Sequence, residues 1–433
     1  MYDILFQNVT VVCCDAQMRV LKNTSLGVKD GKIVWIGENP KEDAARVIDG
    51  KNKVLMPGLI NAHTHIPMTL MRGLSDDTDL QDWLFHHIFP TEDRLDAEIV
   101  RAGTAISVAE MLASGTTSFS DSYFFSDTVA EVVCASGMKG NIARSVTNFD
   151  QEIQFDSFYA TKEAVALYEN WHHAGDGRIL VDAAIHAEYT TSESLWRALG
   201  AFSVEKGLVL QVHLSETKHE HEECIKKYGK TPARVFYDAG VFDGKTIAAH
   251  CVHVTDEDLD IFDEKKVSVA HNPYSNLKLA SGVARVPEML AKNVNIALGT
   301  DGVASNNNAD LFEEVKLCAC LHKGISYNPC AVNAETVLRM ATYGGAVAQG
   351  RERECGVVAV GKDADLILLD FDKPHLMPCH NVVSNLVYSA RGSDVCMTMV
   401  RGKVLYENGV FLTLDWERAK HDFEAIGMKR LFS

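Results

Sequence analysis

Long apolar runs are missing from this chain. No stretch reaches the roughly 18 residues needed to cross a bilayer, so no membrane span is expected. A basic n-region is not found among the first residues, and no signal peptide is expected. Tyr2 to Cys14 alternates like a strand, and the expected compartment is the cytoplasm. Positive charge is scarce: 42 basic against 59 acidic side chains give a net charge of −17. That balance argues against a nucleic-acid backbone as partner. None of the eleven cysteines forms a Cys-x-x-Cys pair. Cys13 and Cys14 are adjacent, while Cys318 and Cys320 lie two apart in a helical pattern and face different directions. All read as reduced core thiols of a cytosolic protein. Internal repeats and low-complexity linkers are also absent.

What is present is apolar residue, 46% of 433, enough for one large barrel domain and a smaller companion. Residues 1–56 read as short strands and turns. Asp30-Gly31 signals a hairpin and Asp49-Gly50 another turn. The same texture returns late, with a strand over 364–370 and a hairpin about Arg401-Gly402. The two ends are therefore expected to pair into one small domain, residues 1–56 with 355–412. Residues 57–354 form the large domain, and 413–433 a helical tail.

The middle alternates strand and helix. Strands are expected at 55–65, 116–120, 141–147, 179–186, 209–214, 246–250, 267–271 and 295–299. Helix starts are marked by Thr231-Pro232, by Thr255 with Asp258, and by Asn333. Eight strands alternating with helices predict an α/β fold, a (β/α)8 TIM barrel.

Active sites of such barrels lie at the C-terminal strand ends, and the chemistry-bearing residues fall there. His63-Thr64-His65 ends the first strand, with both imidazoles on one side because strand residues two apart share a face. His213 ends the fifth strand, His250 the sixth and Asp301 follows the eighth. Three histidines and one aspartate suit zinc, or iron(II). Glu216, three past His213, can lean over the metal without ligating it. A lone strand-end histidine is ordinarily structural. Four such clusters at four strand ends would be a costly accident in an apolar core. His86-His87, His172-His173, His219 and His221 read instead as solvated faces, and His271 as a partner of the site rather than a ligand. Met68 and Met71 suit either a pocket wall or ordinary core.

Taken together, Pro57 to His65, His213 with Glu216, His250, Asp301 and the late run Gly361-Lys362-Asp363-Ala364-Asp365-Leu366 resemble the amidohydrolase superfamily. The resemblance spans nearly the whole chain and implies a distorted barrel with a small β-sandwich built from both chain ends. The two-metal branch carries a bridging lysine on strand 4; here that strand has none and ends in His186. The one-metal deaminase branch is therefore implied, with one zinc per subunit, ligated by His63, His65, His213 and Asp301.

Within that branch, Pro67 to Gly73, Asp82-Trp83-Leu84, Ile88 to Glu92 and Gly115 to Ser118 look like the methylthioadenosine/S-adenosylhomocysteine deaminase family. The resemblance implies that Trp83 packs on the nucleoside and Glu92 binds ribose hydroxyls, while Arg144, His186 and Ser305 contact the ligand. Glu216, His250 and Asp301 would be catalytic, moving protons between water, the ring nitrogen beside C6 and the leaving ammonia. The expected partner is a small nucleoside, 5′-methylthioadenosine or S-adenosylhomocysteine. From Ser145 to Gly177 there is no arginine to match a second one that family members use for the homocysteine carboxylate, which favours apolar 5′ groups. The competing readings are deamination of guanine, 8-oxoguanine, a pterin or aminodeoxyfutalosine, and triazine-type hydrolysis. A homo-oligomer, dimer or tetramer, is expected from enzyme base rates.

Overall fold

The computed structural model describes residues 1–149 and 153–433. Eight parallel strands follow one another in chain order around a barrel. They are Leu59–Thr64, Thr116–Tyr123, Lys139–Arg144, Ile179–Ile185, Leu210–Leu214, Thr246–His250, Ser268–His271 and Asn295–Leu298. Helices cover the outside, so the first three strands are buried at every position, as a parallel sheet with two covered faces requires.

The barrel is closed by side chains and one backbone bond. The Asp301 amide donates to the His63 carbonyl at 3.0 Å. The Asn61 side chain donates to Thr300 Oγ1 at 2.7 Å and accepts from the Thr300 amide at 3.1 Å. Thr64 Oγ1 donates to the Asp301 carbonyl at 3.0 Å. These bonds pin the end of the eighth strand against the end of the first.

The single strand expected at 55–65 is in fact two. Lys53–Pro57 pairs antiparallel with Leu366–Asp370, whereas Leu59–Thr64 opens the barrel beside the second strand. The break falls at Pro57-Gly58. A Cβ on Gly58 would lie 2.1 Å from Thr117 Oγ1, so only glycine allows the chain to pass between the two sheets here. The second barrel strand runs on to Tyr123, past the expected end at 120, because its polar residues Asp121 and Ser122 are buried and paired rather than solvated.

The other sheet has nine strands drawn from both chain ends, five between Tyr2 and Pro57 and four between Leu366 and Phe411. They enclose Phe6, Val11, Leu26, Ile33, Leu366 and Met399. Both hairpin signals form turns with paired left-handed residues, Asp30 (φ 50°) with Gly31 (φ 76°) and Arg401 (φ 46°) with Gly402 (φ 73°). The three helix starts marked in the sequence are all observed, each with its cap hydrogen bond. The final helices fold back on Ala97–Ala113, where Arg430 pairs with Asp96 and Glu98. Among the described residues no helix is long and apolar enough to cross a membrane. All eleven cysteines are free; Cys320, Cys330 and Cys379 are exposed, which corrects their reading as core thiols.

One buried charge cluster welds the two sheets together. Lys139, on the third barrel strand, is fully buried. Its Nζ lies 2.7 Å from Asp363, 2.8 Å from Asp365 and 3.1 Å from Glu354. The aspartates of Gly361-Lys362-Asp363-Ala364-Asp365-Leu366 are thus the counter-charges of a lysine in the barrel wall. Replacing Lys139 by Met should cost about 3–5 kcal/mol in urea unfolding, because it leaves Asp365 Oδ2 buried without a partner, while Lys32 still serves Asp363; a loss under about 1 kcal/mol would contradict this role. The sign with pH follows. Burial alone would raise the Asp363 carboxyl, but Lys139 outweighs it and holds the group below its usual range. Its contribution is therefore complete at neutral pH and should be lost as pH falls through the depressed value.

Candidate active site

The C-terminal strand ends converge on a cavity of about 660 Å³. His65, His186, His213, Glu216, His250, Asp301 and Ser305 line it, with Trp83, Glu92 and Arg144 on its outer walls. Of the ligand, catalytic and substrate-contacting residues expected from the sequence, only His63 lies behind the lining. Met68 lines the cavity and Met71 does not.

Ligand-type atoms crowd the cavity floor. His65 Nδ1 faces the Ser122 carbonyl and His213 Nδ1 the His186 carbonyl, both at 2.7 Å. A carbonyl only accepts, so each Nδ1 carries the proton and each Nε2 is left bare. Those two Nε2 atoms are 3.2 Å apart. His63 Nε2 is buried, has no hydrogen-bond partner and lies 3.4 Å from Asp301 Oδ1; His65 Nε2 lies 3.3 Å from the same oxygen. The ligand atoms of His63, His213, His250 and Asp301 all fall within 4.8 Å of one another. Bare lone pairs at this spacing repel unless a cation sits among them, and a nitrogen-rich set with one carboxylate fits zinc. The protein orients these imidazoles from behind: carbonyls stand at Nδ1 of His65 and His213, and Asn276 Oδ1 lies 2.8 Å from His250 Nδ1.

Asp301 is prepared as an anion. Its Oδ2 accepts from Ser275 at 2.7 Å and Ser305 at 3.0 Å, and Oδ1 accepts from the Gly302 amide at 2.8 Å. These three donors favour the ionised form over the cost of burying it. Glu216 is the opposite case. Burial first, then the charges of Asp301 and Glu220, raise it well above the ordinary carboxyl value. One oxygen of Glu216 lies 3.7 Å from His250 Nε2. Two carboxyl groups in one cavity are thus driven apart, one an anion and the other an acid. Ser215, His250 and Asp301 have φ of 47°, 71° and 62°, a strained left-handed backbone concentrated where these side chains must be aimed.

The outer wall is apolar and aromatic. Asp79 caps the irregular helix that carries Trp83 and leads to Glu92, receiving the amides of Gln81 and Asp82. Tyr123 donates to Glu92 at 2.6 Å, and burial raises the Glu92 carboxyl to about 7. Beyond Tyr123 the wall continues through Phe124 to Arg144, whose guanidinium stacks 5.0 Å from the Phe124 ring and 5.8 Å from that of Tyr159. Arg144 Nε is paired with Glu163 at 2.6 Å.

Sequence reasoning missed several contributors. Tyr123 was hidden by ending its strand early, while Ser275 and Asn276 lie just past His271-Asn272-Pro273, in a helix started by that proline. His271 does not touch the site. It faces outward to His322, Nε2 to Nε2 at 3.1 Å, and its neighbour Asn272 approaches His250 instead, at 3.3 Å. His221, read as solvated, is buried against Ser215 Oγ at 3.0 Å.

The amidohydrolase family model matches residues 54–405. A 5-methylthioadenosine/S-adenosylhomocysteine deaminase of Thermoanaerobacter pseudethanolicus is 44% identical, covering 98% of both chains. A 5′-deoxyadenosine deaminase of Methanosarcina acetivorans is 46% identical over 96% of both. Among solved structures, an adenosine deaminase from Xanthomonas campestris with bound zinc superposes with a TM-score of 0.94 at 32% identity, covering 99% of this chain and 98% of its own.

Zinc added to metal-free protein should raise the melting temperature by several degrees, because it relieves the repulsion among the bare nitrogens. Asp301→Ala should abolish that rise. A melting curve indifferent to zinc would contradict the assignment.

Proposed function

The chain belongs to the amidohydrolase family, and from that premise we propose that it is a zinc-dependent deaminase of adenosine-type nucleosides with apolar 5′ groups, 5′-deoxyadenosine or 5′-methylthioadenosine. The observation that carries this reading is a single cavity holding the ligand cluster and Glu216 at its floor and Glu92, joined to Tyr123, on its wall. The floor suits attack on a ring amine. The wall suits a ribose.

One zinc per chain would be held by His63, His65, His213 and Asp301, and its chemistry there is to activate water as a nucleophile at neutral pH. The protein's own groups handle the protons. Glu216, whose carboxyl is raised well above its ordinary value first by burial, donates to the ring nitrogen next to C6 and makes that carbon electrophilic. His250 is oriented by Asn276, so its Nε2 faces Glu216 and the attacking water and takes the first proton. Asp301, anionic and steadied by Ser275 and Ser305, accepts the second and passes it to the departing amine. Each such group is worth about 10²–10⁴-fold. Trp83 stacks the base, Glu92 accepts from ribose hydroxyls, and His186 and Ser305 complete the walls.

The 5′ preference is supported by the far wall. Arg144 is its only guanidinium or ammonium group among the described residues, and Glu163 already neutralises it. An apolar substituent meets Phe124 and Tyr159 at little cost, whereas a homocysteine carboxylate must compete with Glu163. Guanine deaminase and triazine hydrolase structures resemble this chain at 20–24% identity, which shows the fold alone.

Ammonia release should be faster, by kcat/KM, for 5′-deoxyadenosine and methylthioadenosine than for S-adenosylhomocysteine, and Glu163→Gln should narrow the gap by freeing Arg144. Preference for the homocysteine nucleoside in the unmodified protein would overturn the 5′ assignment. Glu216→Gln should keep zinc and lose about 10³-fold or more in kcat. For Glu92, raised to about 7, the acceptor form grows as pH rises through that value, so KM for nucleosides should fall over this range. Glu92→Gln should flatten the profile; an unchanged profile would remove Glu92 from ribose binding.

A further inference from the structure

We propose that Glu188 and Glu220 form a buried, proton-sharing pair that positions Glu216, with Glu188 donating to Glu220 and Glu220 clamping the backbone of Glu216. This rests on the reading of Glu216 as the acid.

The clamp is visible in three bonds. Glu220 Oε1 accepts from the Ser215 amide at 2.7 Å, and Oε2 accepts from Glu216 at 2.7 Å and Thr217 at 3.3 Å. Glu220 is the third residue of the helix Lys218–Tyr228, where Thr217 makes a capping box with it. Such a box ordinarily satisfies the cap amide alone. Here one carboxylate spans three consecutive amides, reaching back to the residue that carries the acid. It also holds Ser215 in its left-handed conformation. The Ser215 carbonyl in turn accepts from Val252 at 3.1 Å and His253 at 3.0 Å, just past His250. One carboxylate thereby organises the ends of two strands that meet at the active site.

Glu188 lies behind it, 2% exposed, with its carboxyl against that of Glu220 (4% exposed). Two carboxyls in contact and out of water cannot both be ionised, so the pair holds one proton. Three amide donors and a helix N-terminus favour the anion on Glu220. Glu188 Oε2 accepts no hydrogen bond, so the neutral acid belongs on Glu188.

The two glutamates should then respond differently to the same isosteric change. In Glu188→Gln the amide N–H replaces the donated O–H, so kcat should stay within about threefold and the 215–217 amides should stay protected from hydrogen exchange. In Glu220→Gln an NH2 group faces backbone N–H groups. There kcat should fall about 100-fold with KM within twofold and zinc content kept, and exchange over 215–217 should quicken by a similar factor. Equal tolerance of both changes, or the reverse order, would overturn the proposal. An unfolded Glu188→Gln protein would do so as well, since the donated hydrogen is retained. Exchange is read without substrate, so inactivity toward every adenosine would count against the deaminase reading and leave the clamp standing or falling on its own result.

Discussion

Histidine nitrogens and one carboxylate meet at the mouth of the barrel with their lone pairs facing one another. That encounter is unfavourable without a cation, and much of the surrounding structure exists to enforce it. The bonds that close the barrel, from Asp301 to His63 and from Thr64 to Asp301, bring His63 and Asp301 together from the first strand and the end of the eighth. Carbonyls at Ser122 and His186 fix the tautomers of His65 and His213. Closing the fold and building the site are the same set of contacts. This is why the left-handed backbone at His250 and Asp301 is tolerated: the neighbouring strands leave those side chains nowhere else to go.

The same economy of charge runs through the molecule. Within one cavity the hydrogen bonds of Ser275, Ser305 and the Gly302 amide favour an ionised Asp301, while burial raises the Glu216 carboxyl. Away from the site, Lys139 neutralises Asp363 and Asp365 to join barrel and companion sheet. On the far wall Glu163 neutralises Arg144. Each pairing decides the state of a neighbouring group: which carboxyl is ionised, which sheet packs on which, and whether Arg144 presents an unpaired charge.

Much of this was legible in the sequence because strand ends carry the chemistry in such barrels. His63 and His65 were two apart, and His213, His250 and Asp301 each followed an apolar strand. Regular spacing reports what lies on an element. It does not report what lies across from it. The pairing of Glu220 with Glu188, of Arg144 with Glu163 and of Tyr123 with Glu92 joins residues 19 to 32 positions apart, and no local pattern marks them. The outward turn of His271 was unreadable for a related reason: strand alternation puts Ala270 among the inward alanines of the barrel, so the next side chain faces the helices. The split at Pro57-Gly58 was missed because both halves are apolar and only their partners differ.

Zinc titration of the stripped protein, with ammonia release from 5′-deoxyadenosine followed at each addition, bears on all of this at once. Activity should rise in proportion to zinc and level off at one equivalent per chain. Turnover in the metal-free protein, or a plateau only at two equivalents, would contradict a single-metal deaminase.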